Sequence, residues 1–274
     1  MKVISVIGYK NTGKTTLVTK LVQELSKLGR VGTAKMMLDH RLDDPKTDTG
    51  KHFDSGADMV TAITNSELVS IQRDPSVEKA IDALADAGMD FAVVEGAKDS
   101  PIAKIVLGDV DEDVQNVIAK LPARSDWDLD ELVEMIKEQP DHVTLDLLLK
   151  QIKATPGIEK VGGIGSFTGI VRVDNEDFRT SQLEFESYKT AADASIQKIR
   201  EEIMQQEGII DVLIHHKVGT IKPLEDIVYI VVAAGHRQQL FPALAETLER
   251  VKSEVPIWKK EITVDGNFWV HDHA

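Results

Sequence analysis

The stretch Gly8-Tyr9-Lys10-Asn11-Thr12-Gly13-Lys14-Thr15 spells G-x-x-x-x-G-K-[ST], a spacing suited to gripping a phosphate chain. Gly8 and Gly13 let backbone N–H groups curl round phosphate oxygens with no Cβ in the way. Asn11 and Thr12 belong to the same nucleotide-binding loop. Lys14 reaches the β- and γ-phosphates, the Thr15 hydroxyl is a ligand for Mg²⁺, and Thr16 adds a polar group in the following turn. Such a P-loop has to follow a strand and open a helix, so that a helix N-terminus faces the anion. Both flanks fit. Val3 to Ile7 is an apolar run interrupted by Ser5, and Leu17, Val18, Leu21, Val22, Leu25 and Leu28 recur at helical spacing until Gly29 stops them. A chance match in a glycine-rich loop would lack those flanks.

A P-loop also needs a carboxylate at the end of a second strand. Glu95 supplies one, directly after the buried run Phe91 to Val94, and would hold Mg²⁺ through water or orient an attacking water. The competing reading is an ordinary capping or exposed glutamate. Lys98 reads equally as a phosphate contact or a surface lysine. Asp43, Asp44, Asp48 and Thr49, with Pro45 among them, form an acidic loop. Composition favours a solvated surface loop over a nucleotide-ordered one.

The second half sets a few cations at distinctive places. Arg172 closes GSFTGIVR, His236-Arg237 stands between an apolar strand and a helix, Lys252 lies near that helix's end, and Lys259 follows Pro256. Each alone reads as a solvated surface charge. Together they sit at strand ends and helix junctions, where anionic ligands are held. Lys252 and Lys259 are seven apart, but Pro256 breaks any helix between them, so spacing alone does not unite them. His215-His216 looks metal-like. On adjacent strand positions the two rings face opposite ways, which argues against a metal site.

The elements that must position these residues change character along the chain. Strands and helices alternate up to about residue 138, with helices expected over Ser76 to Ala87 and Asp128 to Glu138 and a further strand over Ile102 to Leu107. That order implies a parallel sheet covered by helices. The pattern resets around Gln139-Pro140-Asp141. A short helix over Leu145 to Ile152 leads into strands at Ile164 to Val173, Leu183 to Phe185, Ile209 to Ile214, Ile227 to Ala234 and Trp258 to Val264. Helices over Ala191 to Gln205 and Leu240 to Val251 interrupt them, which is an α+β order. The reading places one domain over 1–140 and a second over 141–274.

Composition bounds the function. The chain has 274 residues and a net charge of −14, which argues against non-specific binding to nucleic acid or to anionic membranes. There is no cysteine, so disulfides, iron–sulfur clusters and thiolate zinc sites are excluded. No apolar run is long enough to span a bilayer, and the N-terminus reads as a first strand and not a signal peptide. The expected location is the cytoplasm.

Four stretches, VIGYKNTGKTTL, DDPKTDTGKHFDSGA, DFAVVEGAK and PIAKIVL, resemble the molybdopterin-guanine dinucleotide biosynthesis protein B family over most of residues 1–110. The resemblance implies a GTP-binding, weakly hydrolysing and usually dimeric adaptor. Its partner is the guanylyltransferase that attaches guanylate to molybdopterin. GTP and Mg²⁺ are the implied cofactors, with Thr15 and Glu95 as the Mg²⁺ residues. Two departures stand out: the family's His-rich stretch is here Ala34 to His40, and its usual glycine and arginine are Lys46 and Phe53.

A second resemblance covers residues 162 to 270. GSFTGIVR, LEFESY, IHHKVGTIKPLED, VVAAGHRQQLF, VKSEVPIWKKE and DGNFWV, in that order, resemble the large, catalytic subunit of molybdopterin synthase. It implies a hammerhead-like α+β domain that converts cyclic pyranopterin monophosphate into molybdopterin. The sulfur comes from a thiocarboxylate on the Gly-Gly tail of a small ubiquitin-like subunit. This chain ends His-Asp-His-Ala without Gly-Gly and has no cysteine, so that subunit is expected to be a separate protein. Lys252 and Lys259 become the catalytic pair, acting as acid, base or transient nucleophile and stabilising an oxyanion. Arg172, His236 and Arg237 become the substrate's phosphate holders. Phe167 lines the pterin or tail channel or fills the core, and both readings stand. His271 and His273 replace an arginine that the family's tail donates to a neighbouring protomer.

The combined reading is a bifunctional, homodimeric cofactor-assembly protein of α/β and α+β parts. It requires Arg172, His236, Arg237, Lys252 and Lys259 to meet in one pocket, with or without a second copy. The alternatives are a regulatory P-loop GTPase with a non-catalytic binding module, and a small-molecule kinase with an acceptor site beside the P-loop.

Overall fold

A computed structural model describes residues 1–37, 41–110, 113–173, 179–263 and 266–270. His271 and His273 lie outside the described residues. The chain divides into two compact units, Met1–Thr144 and Leu145–Ala274.

The first unit runs β1 (Lys2–Gly8), α1 (Lys14–Leu25), β2 (Val31–Lys35), α2 (Asp48–Asp54), β3 (Met59–Ile63), β4 (Leu68–Gln72), α3 (Val77–Asp86), β5 (Phe91–Glu95), β6 (Lys104–Leu107), β7 (Val117–Leu121) and α4 (Leu129–Lys137). Five strands form a parallel sheet in the order β2-β5-β1-β6-β7. Both faces are covered, which is why the central strands β1, β5 and β6 read as largely apolar runs. Alternation along β5 makes this explicit. Phe91 and Val93 join Leu17, Leu21, Leu25 and Ile136 from α1 and α4, while Ala92 and Val94 join Ile81 and Ala85 from α3. Ser76 and Asp128 cap α3 and α4 by accepting from the backbone N–H groups of Lys79 and Glu131. β3 and β4 form a separate antiparallel hairpin.

The segment after α4 remains tied to this unit. The Met1 ammonium donates to the His142 carbonyl at 3.1 Å, and Lys2 Nζ pairs with Asp141 at 3.0 Å. Thr144 donates to Asp86 at 2.6 Å. Burial would raise the Asp141 pKa, but Lys2 and the chain's own ammonium outweigh it and hold the carboxyl below its usual range.

The second unit runs α5 (Leu145–Lys153), β8 (Gly163–Ile170), β9 (Thr180–Ser187), α6 (Lys189–Met204), β10 (Ile209–His216), β11 (Gly219–Ile221), β12 (Asp226–Ala234), α7 (Arg237–Glu254), β13 (Ile257–Thr263) and β14 (Gly266–Val270). Its strands make two antiparallel sheets, β10-β12-β8 and β11-β9-β13-β14. Val228, Ile230, Val232 and Ala234 of β12 pack with Ile199, Ile203, Leu240, Ala243 and Val251 of α6 and α7. A smaller core joins Val171, Leu183, Phe185 and Ile221, with Ile227 and Ile257 packed against it. The strand expected to reach Val173 ends at Ile170, and Val171 instead exchanges backbone hydrogen bonds with Leu224 and Glu225.

His216 lies edge-on to Phe185, with ring centroids 5.1 Å apart, and its Nδ1 donates to the Lys217 carbonyl at 2.7 Å. Burial pushes its pKa down despite that hydrogen bond. The unfolded chain therefore takes up this proton more readily than the folded one, and stability falls as pH drops below about 6.5. Melting temperature should fall more steeply between about pH 7.5 and about pH 5.5 in the unsubstituted protein than in His216→Phe. Equal slopes would contradict the assignment.

Candidate functional site

The P-loop is built as the motif requires. β1 carries the chain into Gly8, and α1 begins at Lys14 with Gly13 as its N-cap at φ 102°. Asn11 also has positive φ, at 67°. A Cβ on Gly8 would come within 2.6 Å of the Leu107 carbonyl oxygen, and one on Gly13 within 3.2 Å of the Trp127 ring. The loop thus has no room for a side chain at Gly8, and at Gly13 the Trp127 ring would have to give way. Thr12 Oγ1 donates to the Tyr9 carbonyl at 2.9 Å. Lys14 Nζ donates to the carbonyls of Gly8 and Tyr9 at 2.8 and 2.7 Å. Thr16 is exposed on the first turn of α1.

Glu95 ends β5 and is 9% exposed. Its carboxylate accepts from the Thr15 hydroxyl at 3.1 and 3.0 Å and from Lys35 Nζ at 3.0 Å. The expected partner of Thr15 is therefore beside it, though the two are 80 residues apart in sequence. A carboxylate and a hydroxyl are the kind of oxygen groups that would hold a Mg²⁺, and the loop's N–H groups suit the phosphates it would accompany. Next to the loop opens a cavity of about 520 Å³, bordered by Tyr9, Lys14, Met36, Val77, Lys98 and Ser100. Lys98 thus borders the P-loop cavity.

Three supporting residues went unread in the sequence. Arg124 braces the loop from outside: its backbone N–H donates to Thr12 O at 3.0 Å and its Nε to Asn11 O at 2.7 Å. Trp127 lies over Gly13, held by a 3.0 Å hydrogen bond from its indole to Pro122 O. Lys35 stands opposite Glu95 in the β2–β5 register. Only the apolar content of these segments is visible locally, because their partners are distant in sequence. The acidic loop is largely engaged with itself. Thr47 caps α2, donates to Asp43 at 2.8 Å and, with Thr49, holds the Asp43 carboxyl below its usual pKa.

In the second unit the cations fall into two groups. His236 stands at the N-cap position of α7 without a side-chain cap hydrogen bond and Arg237 is its first residue, both exposed, while Lys252 is in its last turn. At 1.5 Å per residue, Arg237 and Lys252 are roughly 22 Å apart along the axis. The β8–β12 register sets Ile170 opposite Asp226 and Gly163 opposite Ala234, so Arg172 lies at the end of the sheet away from His236. Lys259 pairs across the strands with Phe185, in the same small core as Val171. Arg172, Lys252 and Lys259 therefore share one end of the unit, and His236 with Arg237 occupies the other. Lys252 makes a long, exposed contact with Glu249, at 3.9 Å. Phe167 pairs with Ile230 and packs against the α6–α7 core. The His215 ring stacks on Tyr229 while His216 faces Phe185. Among the described residues no helix is long and apolar enough to cross a membrane.

The fold and these sites define a P-loop nucleotide-binding unit joined to an α+β unit with clustered cations. Residues 3–125 match the family described as molybdopterin guanine dinucleotide synthesis protein B, and residues 139–254 match the MoaE protein family. A Haloferax volcanii protein described as a probable molybdopterin synthase is 34% identical over 270 residues, covering 97% of this chain and 99% of its own. A molybdopterin synthase catalytic subunit of Pyrococcus abyssi is 34% identical over 125 residues, 46% of this chain and 84% of its own. The crystal structure of molybdopterin synthase from Staphylococcus aureus aligns at 36% identity and a TM-score of 0.40, covering 41% of this chain and 82% of that one. The chain belongs to the molybdopterin synthase family, and its place is in molybdenum cofactor biosynthesis.

The tightness at Gly8 is testable. Gly8→Ala drives a methyl group into a backbone carbonyl, and overpacking of that kind destabilises by about 1–3 kcal/mol. Denaturant unfolding should show that loss. A change within about 0.5 kcal/mol would mean the loop has slack.

Proposed function

We propose that the second unit makes molybdopterin from cyclic pyranopterin monophosphate, taking sulfur from the thiocarboxylated Gly-Gly tail of a separate small subunit. The observation that supports this reading is the grouping of Lys259 and Arg172 at one end of the unit, toward which the last turn of α7 carries Lys252, next to Val251 in the core that holds Val228. Cations there stabilise the oxyanion formed as the tail's acyl–sulfur bond is cleaved, and a lysine so placed passes protons or forms a transient bond. His236 and Arg237 lie too far along α7 to serve that pocket from the same chain. A second copy supplies them, and the active form is a homodimer in which Arg237 grips the substrate's phosphate.

The first unit binds GTP with Mg²⁺. Gly8, Asn11, Thr12, Gly13 and Lys14 cradle the phosphates, while Thr15 and Glu95 hold the metal, whose charge offsets that of the phosphates. Thr16 stands in the same turn. This unit assists attachment of a nucleotide to the cofactor, alongside a guanylyltransferase. The protein works in the cytoplasm. A non-catalytic second unit is not favoured, because the relatives matching it carry the name of the catalytic subunit.

Lys252→Ala should lower molybdopterin formation, measured with thiocarboxylated small subunit and pyranopterin, by ~100-fold or more while leaving nucleotide binding intact. Lys14→Ala should do the reverse. Undiminished synthesis by Lys252→Ala would overturn the assignment.

A further inference from the structure

The Glu95 carboxylate is buried, and a buried carboxylate needs a counter-charge. Lys35 provides it. Its Nζ is 3.0 Å from Glu95 Oε1, and the same carboxylate receives the Thr15 hydroxyl at 3.0 Å. β2 and β5 run in register with Lys35 opposite Glu95, and Met36 N–H donates to the Glu95 carbonyl at 3.0 Å, so the lysine's backbone is fixed there. Its side chain borders solvent. It is 50% exposed against 11% for Glu95, so the ammonium can swing into water without crossing protein.

We propose that Lys35 is a movable counter-ion: it neutralises Glu95 in the nucleotide-free protein, and Mg²⁺ arriving with the nucleotide displaces it. This rests on the reading of Thr15 and Glu95 as the Mg²⁺ residues. A cation at 3.0 Å and a divalent ion cannot both sit against one carboxylate oxygen without strong repulsion. Removing the lysine removes a competitor, so the metal binds more tightly. Because Lys35 acts through Glu95, it is a positioning residue. Its role shows in the Mg²⁺ dependence of nucleotide binding and not in nucleotide binding without metal.

The test titrates Mg²⁺ against a fluorescent GTP analogue and its GDP counterpart, using the full chain. Lys35→Met should reach half-saturation at a Mg²⁺ concentration roughly fivefold lower than the unsubstituted protein, on the scale of one partly exposed ion pair. Affinity in the presence of a chelator should be unchanged. Lys35→Arg, which keeps the charge, should stay close to the unsubstituted protein. Should Lys35→Met fold poorly, Lys35→Gln serves in its place. An unchanged or higher Mg²⁺ requirement in the neutral variants overturns the proposal. So does a loss of affinity confined to the triphosphate, which would make Lys35 a direct γ-phosphate ligand. If the unsubstituted protein and Thr15→Ala bind nucleotide with no Mg²⁺ dependence, the metal assignment itself fails, and the proposal with it.

Discussion

A helix of 18 residues cannot bring its own ends together, and α7 carries cations at both. Arg237 opens it and Lys252 nearly closes it. The packing of α7 along β12 and β8 keeps it extended, with Leu240, Ala243 and Val251 all in one core. Stability and function are thus linked through one element. The contacts that hold the unit together also separate the groups that would share a phosphorylated substrate. In the proposed dimer a second subunit would resolve the conflict without bending the helix. The separation along α7 keeps these cations apart within each chain.

The first unit handles charge differently. A parallel sheet buried on both faces ends in a row of C-terminal strand edges, where side chains emerge from an apolar core into a cleft. Glu95 emerges there beside the P-loop, and its charge is balanced by Lys35 and by the Thr15 hydroxyl. Lys14 finds its own partners in the Gly8 and Tyr9 carbonyls. The same positions that ready the cleft for a nucleotide are satisfied without one. The net charge of −14 over the chain does not oppose this, because the cleft's local field comes from backbone N–H groups and lysines at contact distance.

Much of this was legible in the sequence, for definite reasons. Central parallel strands are mostly apolar, so β1 and β5 could be read directly, and the stripe from Leu17 to Leu25 marked α1. The P-loop is local, and its glycines declare themselves. β2, with sequence VGTAK, is short and half polar, and gave no such signal. The β3–β4 hairpin, β7 and β14 were likewise unread. Pairings such as Thr15 with Glu95 depend on which strands become neighbours, and the motif anticipated that one; nothing local announced Lys35. The division of the cations was out of reach for the same reason. It follows from the antiparallel register of β8 with β12, which no spacing in the chain encodes.

Subunit mixing tests the two-chain site most directly. Lys252→Ala and Arg237→Ala should each be nearly inactive alone. Exchanged together, they form dimers in which one of the two sites draws Arg172, Lys252 and Lys259 from one chain and His236 and Arg237 from the other, all intact. Activity should return to on the order of a quarter of the unsubstituted level, as random pairing requires. A mixture as inactive as its parents, under conditions where exchange is demonstrated, would contradict the account.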